Sequence, residues 1–363
     1  MLHDYEGLRA RAKARLPWMV FDYIDGAAGG GAGVDRNRAA LDAFPLRPRV
    51  LVDVSERDVG LEVFGQRSDL PFGISPMGLC NLSHPKADWA FARLSAETGT
   101  PVGVSTVGST DLETMWDWSG GKTWFQLYFS GDGSGTLDLV QRARDAGYET
   151  LVLTLDVPEV GFRPRELRRG FKMPFRMGVG QFIDFALHPR WSLHTLLSGP
   201  PRMATFDEPG YTFDRTSSRG RADWSFFDRV RQIWPGKLVA KGVTHVGDAR
   251  RLLEAGADAI QVSSHGARQL ESAPAPFTAL QAMRQELGAE ATLFYDSGIT
   301  SGEDLVKAYA AGANFVFLGR YMQFAAAAGG PKGVQAATDL LCHQVSLTLA
   351  QIGLTSLPGT STP

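Results

Sequence analysis

Residues 263–269 read Ser-Ser-His-Gly-Ala-Arg-Gln and follow the apolar run Ala259-Ile260-Gln261-Val262. A buried strand should end there. The next residues offer a titratable imidazole (His265), a flexible glycine (Gly266) and a fixed cation (Arg268). A base beside an anion clamp suits removal of a proton from a substrate that carries a carboxylate. Taken alone, the stretch is equally a strand, a turn and two polar surface residues, so other strand ends must decide. Lys241 closes a second apolar run, and a lysine there must be paired or functional, because a buried unpaired ammonium is costly. Pairing with Asp156 or Asp296 would be structural. The chemical use would be to stabilise negative charge developing on a cofactor or substrate. Asp156 is also a natural partner for His265. A carboxylate fixes an imidazole's orientation and tautomer and stabilises the cation formed when it accepts a proton.

These groups need a frame. Short apolar runs bounded by Gly, Pro or Asp predict strands over 72–75, 102–105, 124–128, 151–155, 238–241, 259–263, 292–296 and 315–318. Their nearly unbroken hydrophobicity is that of strands buried on both faces. Helical spacing predicts helices between them over 86–97, 135–146, 246–255, 277–287 and 302–311, and another over 223–234. Gly147, Gly256 and Gly312 each follow a helix and precede a strand, as left-handed helix stops do. Eight strand–helix units predict a (β/α)8 TIM barrel, with a doubly wound open sheet as the alternative. The chain reads as one domain, 1–363. Residues 1–70 form an N-terminal helical cap, 157–222 a long insertion after the fourth strand, and 356–363 a frayed tail.

A barrel gathers its chemistry at the C-terminal ends of its strands. In order, those ends carry Ser75-Pro76-Met77-Gly78, Ser105-Thr106, Gln126 with Tyr128, and Thr154 with Asp156. Lys241, Ser263 with His265, Asp296-Ser297-Gly298 and Gly319-Arg320 follow. A barrel that was only a scaffold would place apolar residues there. Gly319-Arg320, with Ser297-Gly298, stands where barrels often hold a phosphate. The plain alternative for Arg320 is a surface ion pair.

Composition narrows the class. Hydrophobic residues make up 44% of the 363, and the net charge is −2 without acidic or basic blocks, so a large core is expected and nucleic acid is not. Cys80 and Cys342 are far apart in sequence, which argues against a disulfide framework or a metal site. Neither a signal-peptide pattern nor an apolar run of about 18 residues occurs, and the expected location is cytoplasmic.

The motifs in this order resemble the FMN-dependent L-2-hydroxy acid oxidases and dehydrogenases: glycolate oxidase, lactate oxidase and dehydrogenase, and mandelate dehydrogenase. The resemblance spans residues 5–357. It rests on Phe21-Asp22-Tyr23, Phe125-Gln126-Leu127-Tyr128, Leu153-Thr154-Leu155-Asp156, Lys241-Gly242-Val243, 263–269, Asp296-Ser297-Gly298 and Gly319-Arg320. It implies FMN as cofactor, a 2-hydroxy acid as substrate, oxygen or quinone as electron acceptor, and a homotetramer. By the same resemblance, His265 is the base and Asp156 its partner. Arg163 and Arg268 bind the substrate carboxylate with help from the hydroxyls of Tyr23 and Tyr128, and Arg165 is the reserve for Arg163. Lys241 stabilises the reduced flavin. Ser105, Gln126, Thr154 and the backbone at Pro76, Met77 and Gly78 bind its ring. Ser263 lies on the cofactor side, and Asp296, Ser297, Gly298, Gly319 and Arg320 hold ribityl and phosphate.

Several positions depart from the family pattern. Ser264 replaces the motif's Asn, and Thr300 stands where a phosphate-binding Arg is common. The glycine-rich run 26–33 replaces an acidic pair, so it is expected to be mobile and to place Tyr23 less rigidly. Val107 replaces the aromatic of glycolate oxidase and Gly78 an alanine of some members, which widens the pocket toward bulky or aromatic acids. Residues 171–206 read first as an active-site lid. The second reading is a peripheral membrane contact on the inner face, with Lys172, Arg176, Arg190 and Arg202 around apolar residues. Other activities compatible with the same residues are an FMN-barrel isomerase or amine-oxidising tailoring enzyme, and a degenerate flavin-binding protein.

Overall fold

The computed structural model describes residues 3–171, 178–206 and 219–359. Eight parallel strands close into a barrel: β1 Gly73–Met77, β2 Val102–Ser105, β3 Thr123–Leu127, β4 Thr150–Thr154, β5 Lys237–Val243, β6 Ala259–Val262, β7 Leu293–Tyr295 and β8 Phe315–Leu318. Each pairs with its sequence neighbour, and β8 closes on β1 through Phe317 opposite Gly73 and Leu318 opposite Ile74. The open-sheet alternative is thereby excluded. Inside, Trp124, Phe294, Phe315 and Phe317 meet edge-on or tilted, with ring centres 5.2–6.4 Å apart, and fill the barrel floor.

Helices cover the outside because their apolar faces match the apolar outer faces of the strands. Ala87–Thr98, Ser134–Asp145, Val246–Glu254, Pro276–Leu287 and Gly302–Ala310 lie within a few residues of where spacing puts them. Leu112–Ser119 was not foreseen; Asp111 caps it by accepting the Thr114 N–H. Trp224–Ile233 begins the return from the insertion, capped by Asp223.

Two interruptions in the ladder matter for the site. The register of β1 against β2 shifts between Ile74 and Met77, around Pro76, which has no N–H to donate. The register of β5 against β6 shifts between Lys241 and Val243, around Gly242 at φ +95°. A Cβ on Gly242 would sit 2.4 Å from Asp156 Cγ, so only glycine fits there.

The cap consists of helices Tyr5–Arg15, Trp18–Asp25 and Ala32–Asp42, with a two-stranded hairpin, Leu61–Val63 and Gln66–Ser68. Two expectations need correction. The glycine run is tied down: Gly30 N and Ala32 N donate to Glu271 Oε1 at 2.7 and 3.1 Å, and Gly29 N donates to the Phe162 carbonyl. A carboxylate distant in sequence does the fixing that the local sequence lacks. The tail is not frayed from 356, because Leu357 is fully buried; residues 360–363 lie outside the described residues.

The described part of the insertion contains Pro164–Arg168 and the helices Val179–Leu187 and Pro189–Ser198. The latter two are docked by one face. Asp184 accepts the backbone N–H groups of Trp18 and Met19, and Trp191 Nε1 donates to the Leu82 carbonyl. Lys172 and Arg176 lie outside the described residues.

Candidate active site

Beyond β6 the chain turns sharply. His265, Gly266 and Ala267 all have left-handed φ, at 55°, 64° and 59°. For histidine and alanine that costs energy, and such strain collects at functional sites. The turn aims His265 across the barrel mouth. Nδ1 lies 3.1 Å from Asp156 Oδ1, and Nε2 lies 3.5 Å from the Tyr128 hydroxyl. With the Nδ1 proton directed to a carboxylate, Nε2 keeps its lone pair for the pocket. Burial pushes the imidazole pKa below its ordinary value; Asp156 opposes this, and Lys241 and Arg163 push it further down. The lowered pKa favours the neutral imidazole at neutral pH. For Asp156 burial acts upward, but the charges of His265 and Lys241 outweigh it and hold the carboxyl below its usual range. Its Oδ2 is buried without a hydrogen-bond partner.

Lys241 is placed by register, with Thr154 beside it on β4 and Gln261 on β6. Its Nζ donates to Ser263 Oγ at 3.0 Å and lies 3.3 Å from Asp296 Oδ2. Burial disfavours the ammonium, but Asp296 and Asp156 more than offset it, so Lys241 stays charged. The foreseen pairing with Asp296 is present, and the paired lysine carries its charge at the barrel mouth. Asp296 also accepts from Gln261 Nε2 at 2.7 Å.

Three arginines converge beside His265. Arg163 donates from Nε to the Arg268 carbonyl and from Nη2 to Gln269 Oε1. Arg268 donates to the carbonyls of Tyr23 and Gly26 and, at 2.6 Å, to Glu166 Oε1. Arg320 reaches the carbonyls of Ile24, Gly26 and Gly266. Burial first, and repulsion from Arg268 second, push both Arg163 and Arg320 down to about 10. Such a cluster favours an anion. Arg165 does not belong to it, because it is engaged by Asp22 and Asp25. The reserve role is thus corrected.

The tyrosines are held from unexpected sides. Tyr23 donates to the Gly78 carbonyl at 3.3 Å. Its ring stacks on Phe171 at 4.3 Å and 8°, with the Arg268 guanidinium 5.3 Å from its centre. Tyr23 is thus not loose, contrary to expectation. The Arg219 guanidinium lies 4.6 Å from the centre of the Tyr128 ring. Phe171 and Arg219, from the insertion, were not foreseen, and neither were Glu166, Glu271 or Arg38. Arg38 donates to the Thr300 hydroxyl at 3.0 Å and pairs with Asp304 at 2.7 Å, bringing a cap arginine to the place where the motif lacks one. Glu166 carried a usable signal, three residues after Arg163 on a short helix; the others are long-range partners.

On the remaining strand ends, Ser105 Oγ donates to Gln126 Oε1 and Gln126 Nε2 donates to Thr154 Oγ1, both at 2.9 Å. The helix Arg320–Gly329 opens at Gly319 without a side-chain cap, whereas Gly302–Ala310 is closed by a Ser301/Asp304 capping box. An uncapped helix N-terminus at a glycine suits a phosphate. The chain of amide and hydroxyl groups suits a heteroaromatic ring with alternating donors and acceptors. These donor sets fit FMN. Gly78 and Val107 line the same mouth, but they do not open it independently, because a Cβ on Gly78 would lie 2.7 Å from Val107 Cγ2.

Comparison with known proteins agrees with this geometry. Residues 12–362 match the model of the FMN-dependent dehydrogenase family. The chain belongs to that family. It is 37% identical to (S)-mandelate dehydrogenase of Pseudomonas putida over 97% of this chain and 90% of that protein. It is 36% identical to a putative L-lactate dehydrogenase of Mycobacterium tuberculosis over 97% of this chain and 86% of the relative. The crystal structure of the monotopic membrane protein (S)-mandelate dehydrogenase superposes with a TM-score of 0.94 at 36% identity, covering 99% of this chain and 98% of the other. Members of the family use FMN to oxidise 2-hydroxy acids, and this chain is such an oxidoreductase. FMN supplies the two-electron acceptor that side chains lack.

Proposed function

We propose that the protein oxidises an L-2-hydroxy acid with a bulky, aromatic side chain, as mandelate has, to the 2-oxo acid. The observation that carries this reading is the neutral His265, backed by Asp156, with Nε2 open beside Tyr128 and the arginine cluster. Arg163 and Arg268 bind the carboxylate, and the hydroxyls of Tyr23 and Tyr128 orient the substrate. His265 Nε2 takes a proton from the substrate, from its hydroxyl or its α-carbon, and Asp156 stabilises the resulting imidazolium. Ser105, Gln126, Thr154 and the backbone at Pro76, Met77 and Gly78 would hold the flavin ring. Lys241 would provide fixed positive charge beside it. The backbone of Ser297 and Gly298, Gly319 and the N–H groups opening the Arg320 helix would hold ribityl and phosphate, with Ser263, Asp296 and the Ser297 hydroxyl behind them.

The insertion bears on the choice of electron acceptor. Val179, Phe182, Ile183 and Leu187 on one helix, and Leu193, Leu196 and Leu197 on the next, are exposed while the opposite faces are docked. Among the described residues no helix is long and apolar enough to cross a membrane. An amphipathic pair of this kind lies on a bilayer. We therefore favour a membrane quinone over oxygen. Anaerobic mixing of the yellow protein with a panel of L-2-hydroxy acids tests the reading. Fastest flavin bleaching is expected with aromatic members, and reoxidation faster with a soluble quinone than with air. No bleaching with any acid would overturn it.

A further inference from the structure

The strained turn that carries His265 has its own support. Three consecutive backbone N–H groups, those of Ser264, His265 and Gly266, do not continue any ladder. Ser297 Oγ accepts two of them, from Ser264 at 3.3 Å and from Gly266 at 3.1 Å. Ser263 Oγ accepts the third, from His265 at 3.0 Å. Each hydroxyl donates its one proton to the same carboxylate oxygen, Asp296 Oδ1, at 2.7 and 2.5 Å. With Lys241 Nζ as second donor to Ser263, both hydroxyls have one donation and two acceptances, which saturates them.

Ser297 holds this place at a cost. Its φ is +88°, a left-handed conformation that glycine adopts freely and serine does not. A serine kept there must give something that glycine would not, and the only polar group it adds is the hydroxyl. That hydroxyl brackets His265 on both sides. We propose that Ser297 is a positioning residue for the catalytic base: its hydroxyl, steadied by Asp296, clamps the turn around His265 and fixes the direction of the imidazole. The proposal rests on His265 being the base, as argued above.

Ser297→Gly separates positioning from stability, because it removes the clamp and relieves the strained backbone together. In the FMN-loaded enzyme, melting temperature should stay level or rise. The anaerobic flavin-reduction rate should fall about tenfold, with substrate KM nearly unchanged, since misdirection of a reacting group acts on the rate. Ser297→Ala keeps the backbone strain without the hydroxyl, so it should lose both rate and melting temperature. Amide hydrogen exchange over 263–268 gives a readout independent of turnover: protection at Ser264 and Gly266 should drop in both variants. Unchanged protection in Ser297→Gly overturns the inference whatever the wild type's activity. A wild-type reduction rate in Ser297→Gly does so too, as does a parallel loss of melting temperature and KM. A wild type that no 2-hydroxy acid reduces would refute the proposed function instead, and the exchange comparison would still decide the clamp.

Discussion

Replacing Asp156 by Asn removes the charge behind the base while keeping its shape. The carboxylate faces His265 Nδ1 at 3.1 Å. Opposite unit charges at that distance in an effective dielectric of about 20 attract by about 5 kcal/mol, an upper figure for what the imidazolium loses. A charge-assisted hydrogen bond reduced to a neutral one loses about 1–2 kcal/mol, a lower figure. At about 1.4 kcal/mol per decade, flavin reduction should slow by between about 10-fold and 10⁴-fold. The structure points to the upper part of that range. Among the described residues Asp156 Oδ2 has no partner, so none of them holds the asparagine with its oxygen toward the ring. With the amide nitrogen turned to Nδ1, the ring proton moves to Nε2 and the lone pair that faces the substrate is lost.

The pH profile gives an independent sign. Burial lowers the His265 pKa and Asp156 partly restores it. The reactive form is the neutral imidazole, so kcat/KM rises with pH through the pKa of His265 in the free enzyme. Without the carboxylate that pKa falls further, and the rising limb should move to lower pH. Anaerobic stopped-flow reduction across the acid range measures both effects. A rate within about threefold of wild type, or a limb displaced upward, would refute the pairing of Asp156 with the base.

Other substitutions probe neighbouring parts of the argument. Gly242→Ala would drive a Cβ into Asp156 and impose φ +95° on alanine; reduction should slow at least tenfold, and a near wild-type rate in the folded variant would contradict the contact. Gly78→Ala should raise KM for an aromatic acid more than for lactate, because its Cβ meets Val107 Cγ2. Adding Val107→Ala should restore the aromatic substrate, and failure to do so would place the pocket wall elsewhere. Phe182→Glu with Ile183→Glu puts charge on residues that are 64% and 50% exposed. Sedimentation with vesicles containing anionic lipid should fall sharply while reduction by substrate in solution is unchanged; equal sedimentation would remove that helix from the membrane contact.

The barrel was readable because its strands are short, nearly unbroken apolar runs and several helix stops carry a glycine, as at Gly147, Gly256 and Gly312. Among the helices that escaped, Leu112–Ser119 starts at Asp111, an ordinary polar residue until the cap is seen, and Arg320–Gly329 and Pro331–Gln351 follow the last strand without a reading of their own. The pairing of His265 with Asp156 was readable because polar residues at the ends of buried strands have few other reasons to be there. What escaped is long-range. Glu271 pins a glycine run some 240 positions away in sequence, Arg38 crosses from the cap to Thr300, and Phe171 and Arg219 come from an insertion without strand or helix periodicity at those points. The glycine run misled for a related reason. Composition reports the freedom of a segment in isolation, and the fold had already removed that freedom through a partner elsewhere.

The arginine cluster shows how the fold stores affinity for an acid. Helix Trp18–Asp25 ends at Gly26, and its last carbonyls have no partner within the helix. Arg268 and Arg320 satisfy them at Tyr23, Ile24 and Gly26. The negative end of the helix dipole meets two cations there, which lowers the cost of burying them. Neutral carbonyls nonetheless leave net charge uncompensated. Against Arg163, Arg268 and Arg320 the cluster holds, among the described residues, one directly paired carboxylate, Glu166, bonded to Arg268 at 2.6 Å and 3.8 Å from Arg163. The descent of Arg163 and Arg320 to about 10 has burial and this mutual repulsion as its causes. A carboxylate placed beside Arg163 would relieve that repulsion, whereas a neutral alcohol would not. On the proposed reading, selection for 2-hydroxy acids over simple alcohols would begin at the joint between cap and barrel, before any side-chain pocket is reached. The cap helix thus acts as a charge-bearing part of the site, more than a cover over it.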